Sequence, residues 1–570
     1  MECITKSYAV GLTLFGLTAV DLLLASAGWV AGIAISQFTL ILALFIILGL
    51  QQYILRQRDR GYRLRCLILT VVVMTGALLL AIGTYDRSYD GVEYHQAAIY
   101  SLVHGWNPVR EFASPFVVGE NALWVNHYAK GMETLAATVV ALTGLIESGK
   151  MMNLVLVAAS FCLVWDGLQR YLPGITRCRQ LLFALLLAFS YVVVCQVLTY
   201  TIDWTLCSLL LILGSFCFRI CKGSRSICDF IGIGSVVAMA FAIKFNIAFW
   251  VCLAAGAFGV VMLCRHRRDV FRRGVAAVAG GIVVGIVVFG YNPYISNLRS
   301  GHHILYPLVG EGAVDIMTHN TPPLLQNKNR VEAVVLSLSS RPDNAFMGKT
   351  FYSNPYTELS VDNIVDIASV DCRLGYFGFF WIEIFVLSIA VFLLAYRKNS
   401  HWRGVAAVLI ALFAALFVLP SGWWGRYVGF FYFFPIIVLL YVEKYGMNRR
   451  WVGKLLMWFV VVNISITTLE SAAYTVRARW RTDAVLAALQ AEAAPQPVRV
   501  HTDCPGFRYK LEENGIATVD YVPKATDKIS SYYGSPVYID MPGLGGKQGR
   551  GLYKEYLKKV KNILKGDGED

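Results

Sequence analysis

Apolar residues run through this chain in blocks of about 20, the length that crosses a bilayer as a helix. They fall at 8–27, 31–52, 66–84, 151–168, 180–198, 202–220, 228–243, 246–264, 274–291, 375–396, 403–420, 427–443 and 452–468, which predicts 13 transmembrane helices. The run 132–146 is shorter and reads as a helix lying at the interface. The first block passes almost directly into the second, unlike a cleavable signal peptide.

The polar stretches between blocks set the orientation. Basic residues concentrate in 54–65, 169–179, 219–227, 265–273, 397–403 and 444–454, for example Arg56, Arg177, Arg219, Arg267, Arg397 and Arg449. Counting helices puts all these loops on one side, which is therefore expected to be cytoplasmic. The opposite side receives the bulk: loops 85–130 and 292–373, and the tail 469–570. In the tail, "PVRVHTD" and "ATVDYV" read as strands and "GLYKEYLKKVKNILK" as a basic amphipathic helix. The expected organisation is a transmembrane hairpin with its basic loop (1–65), a transmembrane catalytic domain (66–468) and an extracytoplasmic α/β domain (469–570). The fold class is thus an all-α polytopic membrane protein with a small α/β C-terminal domain. No internal repeat is evident, which argues against many secondary transporters.

Composition supports this reading. Hydrophobic types are 56% of the 570 residues and charged types only 15%, against roughly 25% charged in soluble domains. A soluble enzyme, a disordered chain and a disulfide-stapled module are all disfavoured. The net charge of +14 would point to nucleic acid in a soluble protein. Here the cytoplasmic loops use much of it, so the expected partner is the lipid bilayer, with no nucleic acid. The 13 cysteines include no CxxC pair and most sit in apolar blocks as small hydrophobes. Only Cys372 and Cys504 fall on the outer side, and whether they pair is left open.

Candidate chemistry gathers on that outer side in six segments. The first, "TYDRSYDGVEYH", carries Asp86, Asp90, Glu93 and His95 directly after an apolar block. A carboxylate such as Asp90 can take a proton from a hydroxyl within hydrogen-bond reach. The second has Asp203 at a helix start, where capping alone would also explain it. The third has Lys244 between two apolar stretches, costly there unless it faces a polar cavity or the interface. The fourth, residues 290–310, contains Asn292, Tyr294, Asn297, His302, His303 and Tyr306. The adjacent histidines lack the spacing of a helical metal pair. The fifth holds Lys328, Arg330, Asp371 and Arg373, and the sixth, "SGWWGRYVG", holds Arg426. Six such segments on one face predict a shared outer cavity roofed by the long loops.

The run "YDGVEYHQAAIYSLVHGWNP", together with "NHYAKG", "IKFN", "NPYISN", "GHHILYPL" and "WWGRY", resembles the GT-C superfamily of membrane glycosyltransferases over roughly residues 66–445. The superfamily's paired acid is here Asp90-Gly91, with Glu93 offset, and two apolar helices precede the helix leading into the catalytic loop. The resemblance implies a bacterial inner-membrane enzyme whose site faces the periplasm or exterior. It implies transfer of a sugar from a polyprenyl-phosphate-linked donor to a hydroxyl on a glycan, lipid or protein acceptor, with inversion. Asp90 would be the general base, with Glu93 as the alternative. Lys244 and Arg426, and secondarily Arg373 and Arg330, would hold the donor phosphate. Asp86, His95, Asp203, Asn292, Tyr294, His302, His303 and Tyr306 would line the substrates. No cofactor is assigned with certainty, and a divalent metal ion on Glu93 and His95 stays open. The competing readings are a transporter or flippase for a lipid-linked sugar and a non-enzymatic envelope assembly protein.

Overall fold

The computed structural model describes residues 4–117, 119, 121–340, 368, 370–396, 400–446, 450–493, 497–502, 505–520, 530–532 and 535–540. Helices dominate. In chain order the first are α1 (Lys6–Ala31), α2 (Gln37–Ile54), α3 (Arg60–Ile82), α4 (Gln96–Val103), α5 (Asn121–His127) and α6 (Gly131–Thr143). They continue as α7 (Met151–Tyr171), α8 (Arg177–Ala188), α9 (Tyr191–Gln196), α10 (Thr205–Cys221), α11 (Ile227–Ile243), α12 (Phe245–Cys264) and α13 (Arg268–Val283). Helices at Trp381–Leu394, Ser400–Ala415, Phe433–Tyr445 and Arg450–Ala493 complete the bundle. α1 packs along α7, α7 along α8 and α10, and α11 along α10 and α13.

Among the described residues, eight helices are long and apolar enough to cross a membrane, and five further apolar helices have 10–17 residues. The protein is therefore a multi-pass membrane protein, but the expected count of 13 full spans is not met. The block 180–198 shows one reason. It breaks between α8 and α9, where Ser190 is extended (φ −61, ψ 163). The run 132–146 forms α6, which is buried from Gly131 to Val140 among protein neighbours, including α1, α2 and α4.

The bundle is polar at two opposite ends of the same helices. At one end, Arg219 of α10 pairs with Asp166 of α7 (3.3 Å) and Asp229 of α11 (3.0 Å), with its guanidinium 3.7 Å from the Tyr8 ring centroid. Asp203 and Lys244 lie at the other end of α10 and α11, and the functional cluster forms there.

The helix Arg450–Ala493 is 44 residues long. It runs past its apolar part into a small four-stranded sheet of order β2-β1-β4-β3. β1 (Val498–Thr502) pairs parallel with β2 (Thr518–Asp520) and antiparallel with β4 (Ser535–Asp540), and β3 (Ser530–Tyr532) pairs antiparallel with β4. The amphipathic helix expected at 551–565 and Cys504 lie outside the described residues. This unit has its own core, formed by Leu486, Leu489, Val498, Val500, Phe507, Leu511 and Ile516, and it takes in Val92 from the first long loop. Its helix Pro505–Glu513 is fastened to the turn Ile146–Lys150, just before α7, by Lys510, which pairs with Glu147 at 2.7 Å. Glu147 in turn holds Lys150 at 2.7 Å.

Candidate functional site

Three local devices bring the site together. The first is a π-helical turn at Gly91–His95, directly after Asp90. Such turns insert one extra residue into a helix and re-aim side chains. Gly91 is required here, because a Cβ would lie 1.9 Å from Asp86 Oδ2 and 2.2 Å from Ser88 Oγ. The buried Asp86 carboxylate thus occupies the space that a side chain after Asp90 would need. The second device is Lys244, one extended residue (φ −164, ψ 141) that ends α11 and starts α12. The third is the segment 420–432. Gly425 lets it lie against 372–376, since a Cβ would approach the Cys372 carbonyl oxygen to 2.9 Å. Backbone bonds from Gly425 N–H to Arg373 O (3.1 Å) and Arg426 N–H to Cys372 O (3.2 Å) lock the two segments together.

The result is an alternating network of three carboxylates and three cations. Arg426 Nη1 lies 3.0 Å from Asp90 Oδ2 and 3.2 Å from Asp371 Oδ1, and its Nε lies 3.4 Å from Asp203 Oδ2. Lys244 Nζ holds the other Asp203 oxygen at 2.6 Å. Arg373 Nε donates to Asp371 Oδ2 at 2.7 Å. The guanidinium of Arg426 sits 4.6 Å from the Trp424 ring centroid and 5.3 Å from that of Tyr427. Exposure separates the acids: the side chains of Asp90 and Asp371 are 22% exposed and that of Asp203 only 2%. Asp203 is thus a sealed counterion, whereas Asp90 and Asp371 can meet an incoming molecule.

Burial raises the Asp90 carboxyl, but Arg426, His95 and Lys244 outweigh it and hold it below the usual Asp range. Asp90 is therefore ionised at neutral pH. Burial, helped by the Asp90 charge, pushes the Tyr94 and Tyr128 phenols well up, so both keep their protons. Their rings lie edge to face at 6.3 Å and lead from the ion network to a second polar patch. There, buried Lys130 donates to Asn292 Oδ1 (2.7 Å) and Tyr128 O (2.7 Å). Burial lowers the Lys130 ammonium to about 7. His127 shares a hydrogen bond with Asn297 Oδ1 (2.7 Å), and His302 stacks on Tyr306 at 4.3 Å.

The expected residues thus divide. Asp90, Asp203, Lys244, Arg373 and Arg426 come together. Asn292, His302 and Tyr306 form the neighbouring patch, with Tyr294 buried behind it and donating to Phe241 O (2.9 Å). Asp86 is sealed inside, accepting from Ser88 N–H and Oγ, Gln96 and Tyr200 N–H, so it builds the loop and does not join the ion network. Arg330 is placed elsewhere. It donates to the Phe417 and Val418 carbonyls (3.0 Å each) and is no part of the network. His303 is exposed and caps a turn by accepting from Leu305 N–H (3.1 Å). A metal ion on Glu93 and His95 does not fit. Glu93 Oε2 accepts from Asn121 (2.8 Å), His95 Nδ1 meets Glu133 Oε1 (2.5 Å), and no group of three or more His, Cys, Asp or Glu able to hold a metal occurs among the described residues. Lys130, Glu133, Tyr94 and Tyr128 have no assigned role in the sequence reading, and Asp371 figures there only as a member of the fifth segment. The interrupted "YAKG" and the acid-base pair in "DCR" were the signals for Lys130 and Asp371.

Compared with known proteins, the chain matches no family model, no curated protein and no solved structure. Its fold and site define a multi-pass membrane protein with a partly open, charge-balanced cluster where α10, α11, the first long loop and the segments 371–376 and 420–432 meet.

Proposed function

We propose that the protein is a glycosyltransferase that moves a sugar from a polyprenyl-phosphate donor to an acceptor hydroxyl at the extracytoplasmic face. The observation that carries this reading is the solvent-reaching carboxylate of Asp90 held 3.0 Å from a guanidinium that is itself flanked by Lys244, Arg373 and two aromatic rings. A group-transfer site of this kind needs both elements. Asp90 accepts the hydroxyl proton as the acceptor oxygen attacks the anomeric carbon. The bond from that carbon to the phosphate oxygen breaks, and the departing lipid phosphate keeps the electron pair. Arg426, Lys244 and Arg373 stabilise its charge through charge-assisted hydrogen bonds. Attack opposite the leaving group inverts the anomeric centre.

Deletion of the protein in its host should make an unfinished glycan and its unused lipid-linked sugar accumulate, seen by mass spectrometry of lipid extracts. Unchanged lipid-linked sugar pools and unchanged envelope glycans would remove the reading. The orientation is tested separately. A periplasm-active reporter fused after Ala493 and a cytoplasm-active reporter fused after Arg60 should both work, because the basic loops favour the cytoplasm. A working cytoplasmic reporter after Ala493 would put the site on the wrong face.

A further inference from the structure

Every charge of the network has an opposite charge within 3.4 Å. Arg426 carries one positive charge and has three carboxylates within 3.4 Å. An anionic donor that takes the Nη1 edge of that guanidinium must compete with Asp90 and Asp371, because like charges crowded into a poorly solvated site repel strongly. Something must move, and the three acids are not equivalent. Asp203 is sealed and gripped by Lys244 at 2.6 Å, so it stays. Asp371 has a second cation, Arg373, at 2.7 Å and can retreat onto it. Among the described residues, Asp90 has Arg426 as its one ion-pair partner.

We propose, resting on the donor reading above, that the donor's phosphate binds by exchange. It displaces Asp90 and Asp371 from Arg426, and this displacement hands Asp90 to the acceptor hydroxyl. The phosphate takes the guanidinium edge that the two carboxylates occupy, Asp371 folds back on Arg373, and Asp90 becomes an uncompensated carboxylate beside Tyr94. A carboxylate freed from an arginine is a stronger proton acceptor than one paired with it. The base is therefore armed only when the donor is seated, so donor binds first and acceptor second. After transfer the lipid phosphate carries more negative charge and Asp90 carries the proton. Loss of that proton returns Asp90 to Arg426 and helps expel the lipid product.

The exchange predicts that removing a competing carboxylate makes the anion bind better. Binding of farnesyl phosphate to the purified full-length protein would be measured by native mass spectrometry, with farnesol as the uncharged control. Asp371→Asn and Asp90→Asn keep side-chain shape and remove one charge each. Each should tighten farnesyl phosphate binding on the order of tenfold or more and leave farnesol unchanged, from the strength of a single hydrogen bond to a charged group. Two separate positions guard against one variant failing to fold. If the wild type prefers farnesyl phosphate to farnesol but neither variant binds it more tightly, the exchange is overturned and the donor reading stands. If only the variants discriminate, the exchange is supported strongly. If no form prefers the phosphate, the donor reading falls and the exchange falls with it.

Discussion

Replacing Asp90 by Asn is expected to cut sugar transfer by about 10²–10⁴-fold, the range a positioned acid or base contributes, with protein yield preserved. The side chain sits at the mouth of the network, 22% exposed, and makes one ion pair there, to Arg426. Its loss therefore removes the proton acceptor without leaving a buried orphan charge of its own. Transfer measured with a lipid-linked sugar and an acceptor extract reads the effect. Glu93→Gln supplies the contrast. Glu93 is buried and its Oε2 is occupied by Asn121, so the same loss in transfer is not expected. A strong loss in Glu93→Gln with near-normal transfer in Asp90→Asn would move the base to Glu93. Normal transfer in both would discard a carboxylate base in this loop.

The largest expected loss of stability lies at the opposite end of the bundle. Arg219→Met should destabilise the protein by about 3–5 kcal/mol, the cost of breaking a buried ion pair from one side. Arg219 is 3% exposed and lies between Asp166 and Asp229, at 1% and 0%. Removing it leaves two carboxylates facing each other with little water. Asp166 keeps Thr5 Oγ1 (2.6 Å) and Arg170 Nε (3.0 Å), and Asp229 keeps Tyr8 OH (2.7 Å). These partners soften the loss without replacing the charge between them. Thermal unfolding in detergent should show a clear drop, partly recovered by adding Asp229→Asn. An unchanged melting curve in the single variant would show that the two acids are solvated or protonated. This triad ties together α7, α10, α11 and, through Thr5 and Tyr8, the start of α1.

The two ends of the bundle differ in how far they could be read from the chain. Asp90, Asp203, Lys244 and Arg426 stand out in sequence because each interrupts or borders apolar blocks, where a charge is expensive. Their meeting also follows from connectivity, since all four sit on the same side when helices are counted. Asp371 and Lys130 were harder. Each lies in a long loop with other polar residues; sequence names Asp371 as a candidate without a role, and it takes the fold over 371–376 and the burial of Lys130 to place them at the site. Arg330 shows the reverse: an arginine in the same kind of loop turns its Nη1 to two backbone carbonyls, away from the network. In the sequence, Arg219 reads as a loop residue that marks orientation. The ends of α10 are not visible in hydropathy, so its position inside the bundle was not either. Run length likewise overstates spans, because a break such as that at Ser190 leaves the composition of the block unchanged.

The 44-residue helix that ends at Ala493 behaves mechanically as a mast. At about 1.5 Å per residue it measures roughly 66 Å, about twice the hydrocarbon thickness of a bilayer. Its lower part is fixed among the other spans, and its upper part carries Leu486 and Leu489 into the small core that also holds Val92, two residues after Asp90. The height and compass bearing of that core are thus dictated from within the membrane. Each residue added to the mast would raise its tip by about 1.5 Å and swing it by about 100°. Lys510 would then be carried off Glu147 and Val92 off its seat. The turn that presents Asp90 is therefore gauged by helical phase measured from the bilayer, so chain length between the spans and Leu486 is as constrained as any side chain in the site.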